Sequence, residues 1–331
     1  DGKVDKLALE LTKTDRNGRL AKKLPGLANW ASDTKNGMTR GVLESVAKVD
    51  RNAELPKYHA ETFTERAAKQ PPEVNAEAPA KGRKAVLYAT CFVNYNNPRI
   101  GAATRGVLAK NGVETEVVYP RCCGMPQFEQ GDLAAVAEAA KEIAAELEPW
   151  IDKGYDIVAM VPSCALMMKF EWPLIVPDDP RIEKLSKATS DVTEYVVDIA
   201  GKEGLAEGLT PLDGSVAVHI ACHARAQNMG NKAFEMLKLI PEADIKQLPR
   251  CSGHGGSWGV MKGNFETALK IGKPVARDVL KAEKAYVASE CPLAGVHILQ
   301  GMERLAEDKS KVPQESFHPI QIFAKAYGIE A

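Results

Sequence analysis

From about residue 84 onward, short runs of Val, Ile, Ala and Tyr recur along this sequence, separated by longer stretches in which apolar positions follow a helical spacing. The runs at 85–89, 114–119 and 157–161 predict strands, because continuous β-branched and aromatic residues suit a sheet covered on both faces. Between the first two, Asn97-Pro98 supplies a cap and a first-turn proline for a helix over 99–110, and Gly112 stops it. An Ala- and Glu-rich stretch predicts a longer helix over 132–153, ended by Gly154. Strands alternating with helices predict an α/β fold with a parallel sheet flanked by helices.

The same plan then recurs. Runs at 216–221, 244–248 and 285–289 predict three further strands, with helices over 231–239 and 264–282. The chain therefore divides into two pseudo-symmetric domains, 84–190 and 191–331, with roughly 173–214 connecting the repeats. Residues 1–83 depart from the pattern. They hold no cysteine, are rich in Lys, Glu, Asn and Ala, and end in the loop-like stretch 70–79. Two or three short helices, one over 39–49, are expected there, in a helical N-terminal arm and linker suited to docking.

Each predicted strand runs directly into cysteine. The first repeat holds Cys91, the pair Cys122-Cys123, and Cys164; the second holds Cys222, Cys251 and Cys291. Intervals of 31 and 42 residues separate Cys91, Cys122 and Cys164, against 29 and 40 for Cys222, Cys251 and Cys291. Local text matches as well: Tyr119-Pro-Arg-Cys-Cys-Gly124 against Leu248-Pro-Arg-Cys-Ser-Gly253. Parallel strands align their carboxyl ends along one edge, where open α/β sheets bind ligands. Each cysteine set is thus expected to converge in one crevice. Soft thiolates gathered in this way select iron–sulfur clusters, zinc or copper(I). Gly124, Gly253, Gly255 and Gly256 are expected at tight turns that offer backbone N–H groups to sulfur. A single cysteine in such a place is more often a packed structural residue, but repetition at matched spacing argues otherwise for the sets.

Composition narrows the classes. A formal net charge of −1 and a pI near 6.7 call for neither nucleic acid nor an anionic surface. The longest apolar runs, such as 157–162, are far too short to span a bilayer. No signal-peptide pattern opens the sequence, and seven cysteines, an odd number, fit a reducing compartment better than a disulfide framework. A cytoplasmic location follows as the expectation. No GxGxxG, P-loop or serine-nucleophile motif is present, so bound nucleotide is not expected.

Over about residues 50–331 the chain resembles the cysteine-rich CCG family of iron–sulfur oxidoreductase subunits. The resemblance rests on Cys91-Phe-Val-Asn-Tyr-Asn-Asn-Pro98, Cys122-Cys-Gly-Met-Pro126, Ser163-Cys164, Cys222-His223, and Cys251-Ser-Gly-His-Gly-Gly256 with Gly259 and Asn264. Members include the cysteine-rich subunits of anaerobic glycerol-3-phosphate dehydrogenase and of heterodisulfide reductase, and the lactate-utilisation iron–sulfur subunits. The resemblance implies a 4Fe-4S cluster, ordinary or non-cubane, on Cys91, Cys122, Cys123 and Cys164. The second set, Cys222, Cys251 and Cys291, is expected to hold iron–sulfur or zinc: it needs a fourth ligand, for which His223 and His254 are candidates by proximity in sequence, or leaves an iron open for substrate. The resemblance also implies electron transfer between a flavin dehydrogenase partner, or another redox subunit, and a quinone or disulfide acceptor. Peripheral association with the inner face of a membrane through that partner would follow.

The sequence departs from the family pattern at three places. The usual closing CxxC is reduced to Cys164 with Met167; Ser252 and Ala294 replace cysteines in the second repeat; and no ferredoxin-type CxxCxxCxxxCP run is present. A zinc-stabilised interaction module without redox activity is the principal alternative, and thiol chemistry at Cys122-Cys123 a lesser one. Among other residues, His219 is expected in the core, and His297 either faces the site or packs beside it. His59 and His318 are expected at the surface. Arg121 and Arg250, each beside a central cysteine, either ease the charge of thiolates or pair with carboxylates. Trp258 and Met261 line a crevice or pack, and Asn94–Asn97 form a turn and cap.

Overall fold

The computed structural model describes residues 6–330 of the chain. Strand β1 (Lys84–Tyr88) lies at the centre of the first sheet, parallel to β2 (Glu114–Val118) on one side and β3 (Asp156–Ala159) on the other. A fourth parallel strand, β4 (Thr189–Asp191), extends the sheet to the order β2-β1-β3-β4. The second sheet repeats the plan: β5 (Val216–His219) is flanked by β6 (Ile245–Leu248) and β7 (Tyr286–Ser289) in the order β6-β5-β7. Both sheets are parallel and carry helices, as the hydrophobic pattern predicts. Register is matched too, with Tyr88 opposite Val118 and Ala159, and His219 opposite Leu248 and Ser289.

The helices follow local chemistry. The Leu133–Asp152 helix begins where the Asp132 side chain accepts the Ala135 N–H. It buries Val136, Ala139, Ala140, Ile143, Ala144 and Leu147, a stripe at three- and four-residue steps that packs on the first sheet. Complete burial of Ile143 and Leu147 contributes roughly 1.5–3 kcal/mol each. A short helix starts at or beside a cysteine after most strands: Cys91–Tyr95, Met125–Glu129, Pro162–Leu166, Cys222–Ala226 and, longer, Pro292–Leu305. After Cys164 the chain continues as a one-turn π-helix, Met167–Glu171, a rare form that is frequent at functional sites.

The connecting region is less of a linker than the repeat alone implies. Strand β4 belongs to the first sheet, and the Val192–Lys202 helix buries Val192, Tyr195, Val196 and Ile199 in a core shared by both domains. The final helix, Pro319–Ala326, contributes to that core and packs on the Pro98–Lys110 helix of the first domain. His318, expected at the surface, is 2% exposed. Its Nδ1 accepts the Ile320 N–H and so caps that last helix, and burial pulls its pKa down to about 3. His59 is half-buried, bonded through Nε2 to the Asn96 carbonyl.

The arm contains five helices among the described residues, Lys6–Thr12, Thr14–Ala21, Pro25–Ser32, Gly37–Ala47 and Phe63–Lys69, where two or three were expected. Buried Arg40 organises it by donating to the carbonyls of Ser32, Asp50, Arg51 and Ala53. The arm touches both domains. Asp50 N–H donates to the Val260 carbonyl at 2.9 Å and Lys262 N–H to that of Lys48 at 2.7 Å, while residues 12–15 lie against the first cysteine set. Among the described residues no helix is long and apolar enough to cross a membrane.

Candidate metal centre

Parallel pairing delivers Cys91, Cys122, Cys123 and Cys164 to the carboxyl edge of the first sheet. There the four side chains meet. Cys91 and Cys122 sulfurs are 3.6 Å apart, and those of Cys123 and Cys164 are 3.1 Å apart. Cys122, Cys123 and Cys164 are buried and Cys91 half-buried. Hydrogen bonds with Cys123 and Cys91 hold Cys122 well below the ordinary thiol pKa. The hydrogen bond with Cys122 and burial push the Cys91 thiol up; hydrogen bonds with Cys122 and Cys164, together with burial, push Cys123 up. The arrangement thus favours the Cys122 thiolate. The Gly124 backbone N–H also stabilises it, from a glycine whose φ of +88° suits a residue without Cβ.

Second-layer groups fix the arrangement. Trp172, fully buried, donates its indole N–H to the Cys123 carbonyl at 3.2 Å. The Tyr88 hydroxyl donates to the Arg121 carbonyl, and burial with the four thiols nearby pushes that phenol well up. His219, in the equivalent place of the second domain, bonds through Nε2 to the Arg250 carbonyl at 2.9 Å and through Nδ1 to Ser289 at 2.9 Å. It is the core residue expected, with burial drawing it down to about 4. Arg121 and Arg250 pair with carboxylates, Arg121 with Glu142 at 2.7 Å and Arg250 with Asp278 at 2.9 Å.

The arm supplies groups that the sequence pattern did not flag. The Asp15 carboxylate accepts the Cys122 N–H at 2.8 Å and the Tyr119 hydroxyl, and burial raises its pKa. Gln127 donates to the Thr12 carbonyl at 2.9 Å. Thr14, between them, turns its hydroxyl toward the sulfurs of Cys91 and Cys122. A cavity of about 600 Å³ opens beside them, lined by Thr14, Asp15, Arg19, Tyr95, Tyr119 and Cys122 among others.

The second set is more open. Cys222 and Cys251 are exposed and Cys291 is half-buried. Cys222 and Cys291 lie near enough to affect one another, and burial lifts Cys291 to about 11. Arg225 donates to Cys222 and the Gly253 N–H to Cys251, each at 3.4 Å. Gly253 reproduces the role of Gly124, N–H to central cysteine, at a φ of +76°. Gly255 and Gly256 also have positive φ, at +63° and +56°.

Imidazoles gather beside this set. The rings of His254 and His297 are 5.9 Å apart, and His223 is close enough to act on His254. Burial draws His254 to about 3. The Nε2 atoms of His254 and His297 are both shielded without a hydrogen-bond partner. Neutral imidazoles bind a metal through whichever ring nitrogen is unprotonated. Two acidic groups went unnoticed in the sequence. Glu129 reaches from the first domain toward Gly256 and Cys291, and desolvation lifts it to about 7. Glu290 accepts the Ala221 N–H at 2.9 Å while its other oxygen has no partner; burial, with Asp191 nearby, raises it to about 8.

Among the described residues no group of three or more His, Cys, Asp or Glu stands at the spacing of ligands round one metal ion. In the first set one sulfur pair stands closer than ligands of one ion do. A zinc tetrahedron with Zn–S of ~2.3 Å would hold its sulfurs about 3.8 Å apart, whereas Cys123 and Cys164 approach to 3.1 Å. A polynuclear cluster, larger than one ion, holds its ligands wider still. The donor set itself fits such a group: four soft sulfurs, largely enclosed, with a backbone N–H and an indole-braced loop round them.

Comparison with known proteins agrees with the chemistry. The cysteine-rich domain, CCG, matches twice, over residues 85–169 and 216–298. The anaerobic glycerol-3-phosphate dehydrogenase of Escherichia coli K12 has a subunit 26% identical over 322 residues, covering 96% of this chain and 76% of that one. Lactate utilization protein A of Bacillus pumilus is 30% identical over 186 residues, covering 54% of this chain and 75% of its own. A hypothetical protein from Helicobacter pylori is a distant structural neighbour, with a TM-score of 0.42 and 14% identity over 81% of this chain and 54% of that one. Two matched domains, each beginning in the central strand and ending in the helix after the last cysteine, show that the chain belongs to the CCG cysteine-rich domain family.

Proposed function

We propose that the protein carries an iron–sulfur cluster on Cys91, Cys122, Cys123 and Cys164 and works as an electron-transfer subunit of an oxidoreductase. The observation that carries this reading is the meeting of four thiols, far apart in sequence, at one sheet edge. When bound, the cluster supplies one-electron chemistry; the chain's own residues set its ligation, its access to water and its potential. The four cysteines suffice for an ordinary 4Fe-4S cluster, while Met167, fully buried, stands where a fifth thiol would be needed. Kinship with a dehydrogenase subunit and a lactate utilization protein supports exchange with a flavin-containing or other redox subunit. A quinone or disulfide would be the acceptor, at a peripheral site on a membrane or in the cytoplasm. Exposed Leu24, Leu27, Trp30, Met38, Val42 and Val46 on the arm support its use as a docking element.

The second set leaves the occupant open between iron–sulfur and zinc. Cys222 and Cys291 near one another, with Cys251 on the neighbouring turn and His254 close to His223, offer sulfur and imidazole donors suited to zinc as well as iron–sulfur. A zinc-stabilised module without redox activity is the reading this observation would support if it held for the whole chain. Anaerobic purification decides between the two. Brown protein with broad visible absorption that bleaches on reduction, and a paramagnetic signal in the reduced state, is expected. Colourless protein with stoichiometric zinc would sink the electron-transfer reading.

A further inference from the structure

Thr14 presents an anomaly that the proposed function explains. Its Oγ1 is shielded from solvent and has no hydrogen-bond partner. Buried hydroxyls are almost always bonded, so an unpaired one calls for a partner not yet supplied. The neighbours are specific: Thr14 and Cys122 line the same cavity, and Oγ1 lies beside the sulfurs of Cys91 and Cys122. Thr14 is also held in place. On one side the Thr12 carbonyl accepts from Gln127 at 2.9 Å, and on the other Asp15 accepts the Cys122 N–H at 2.8 Å and the Tyr119 hydroxyl. The helix that Thr14 opens, Thr14–Ala21, rests on the Cys91–Tyr95 helix through Gly18, whose Cα lies so close to the Tyr95 ring that a Cβ would come within 2.5 Å of it.

We propose that Thr14 is a positioning residue of the first centre: its hydroxyl donates a hydrogen bond to the Cys91 or Cys122 thiolate once a cluster is bound. A metal-bound thiolate carries charge and accepts well. Such a bond withdraws electron density from the ligand sulfur and favours the more reduced, more negative state of the centre, raising its potential. Because the donor sits on the arm, the arm sets the potential as well as covering the site. This inference rests on an iron–sulfur cluster occupying the first set.

The test compares wild type with Thr14→Val, Thr14→Ala and Thr14→Ser, each purified anaerobically as the full chain. Iron and acid-labile sulfide are measured first, and the midpoint potential is then followed by electron paramagnetic resonance. Loaded Thr14→Val and Thr14→Ala are expected to titrate at lower potential than wild type, and Thr14→Ser to stay with wild type. Electron–nuclear double resonance in deuterated buffer should detect one exchangeable proton fewer at the centre in the variants that lack the hydroxyl. An unchanged potential and an unchanged set of exchangeable protons in any loaded variant without the hydroxyl would overturn the proposal. Absence of iron and sulfide from wild type would instead overturn the proposed function on which it stands.

Discussion

Gly253 is the position at which backbone geometry and the second cysteine set can be tested together. Its φ is +76°, and a Cβ there would meet the Ala268 carbonyl oxygen at 2.1 Å and the Gly272 nitrogen at 2.6 Å. Both are backbone atoms of the Phe265–Ala282 helix, which cannot rotate out of the way as a side chain could. The same helix approaches from the other direction, since a Cβ on Gly272 would meet the Ser252 carbonyl oxygen at 2.1 Å. Left-handed backbone costs a residue with a Cβ ~1–2 kcal/mol, and forced overpacking adds about 1–3 kcal/mol. Gly253→Ala is therefore expected to destabilise by roughly 2–5 kcal/mol. Gly263 provides the control, with a φ of +87° and nothing within 4 Å of its Cβ position. Gly263→Ala should show the conformational cost of ~1–2 kcal/mol alone. Urea unfolding of both variants measures the difference. Because the Gly253 N–H donates to Cys251, displacement of the turn should also change the rate at which that exposed thiol is alkylated. If Gly253→Ala proves no less stable than Gly263→Ala and Cys251 reacts at its wild-type rate, the close approach of turn to helix is wrong.

Three further outcomes follow from the geometry. Asp15→Ala removes the acceptor for the Cys122 N–H and the Tyr119 hydroxyl; a loss of about 1–3 kcal/mol is expected in urea unfolding, with faster alkylation of the metal-free first set. His318 is neutral in the fold, at about 3 against an ordinary value of 6.5. The unfolded chain takes up its proton first as pH falls, so this contribution is whole above pH 6.5 and declines toward pH 3 by at most ~1.4 kcal/mol per unit. His318→Asn, which retains a capping group, should flatten that part of the stability–pH curve; an unchanged slope would show that another group carries it. Arg40→Met should strand the carbonyls of Ser32, Asp50, Arg51 and Ala53. Proteolysis inside residues 20–55 should then outpace cleavage of the two domains.

Six strands and the convergence of the first cysteine set were legible in the sequence, because β-branched runs and parallel pairing leave few alternatives for where a strand's end can lie. Strand β4 was not. Thr189-Ser190-Asp191 is short and polar, and becomes a strand only because β3 offers an unpaired edge. The arm's helices were partly visible, but not that Thr14 and Asp15 lie over sulfur. Polar residues at a helix start look like ordinary caps until tertiary packing aims them. His318 before Pro319 likewise reads as a surface turn, and its burial depends on the last helix crossing back to the first domain. Within the second set, Cys251 and Cys222 were expected to share a crevice with Cys291. The structure brings Cys222 and Cys291 near one another, sets His297 of the helix after Cys291 beside His254, and adds Glu129 from the first domain.

Iron and acid-labile sulfide in anaerobically purified wild type, beside Cys164→Ala and Cys222→Ala, test the central claim most directly. Iron and sulfide in equal amounts in wild type are expected, with their loss from the first set in Cys164→Ala. In Cys222→Ala, iron confined to the first set would remain at the wild-type level, and iron in both sets would fall by the second set's share. Retention of all iron in Cys164→Ala, or zinc without sulfide in wild type, would contradict the assignment of an iron–sulfur centre to Cys91, Cys122, Cys123 and Cys164.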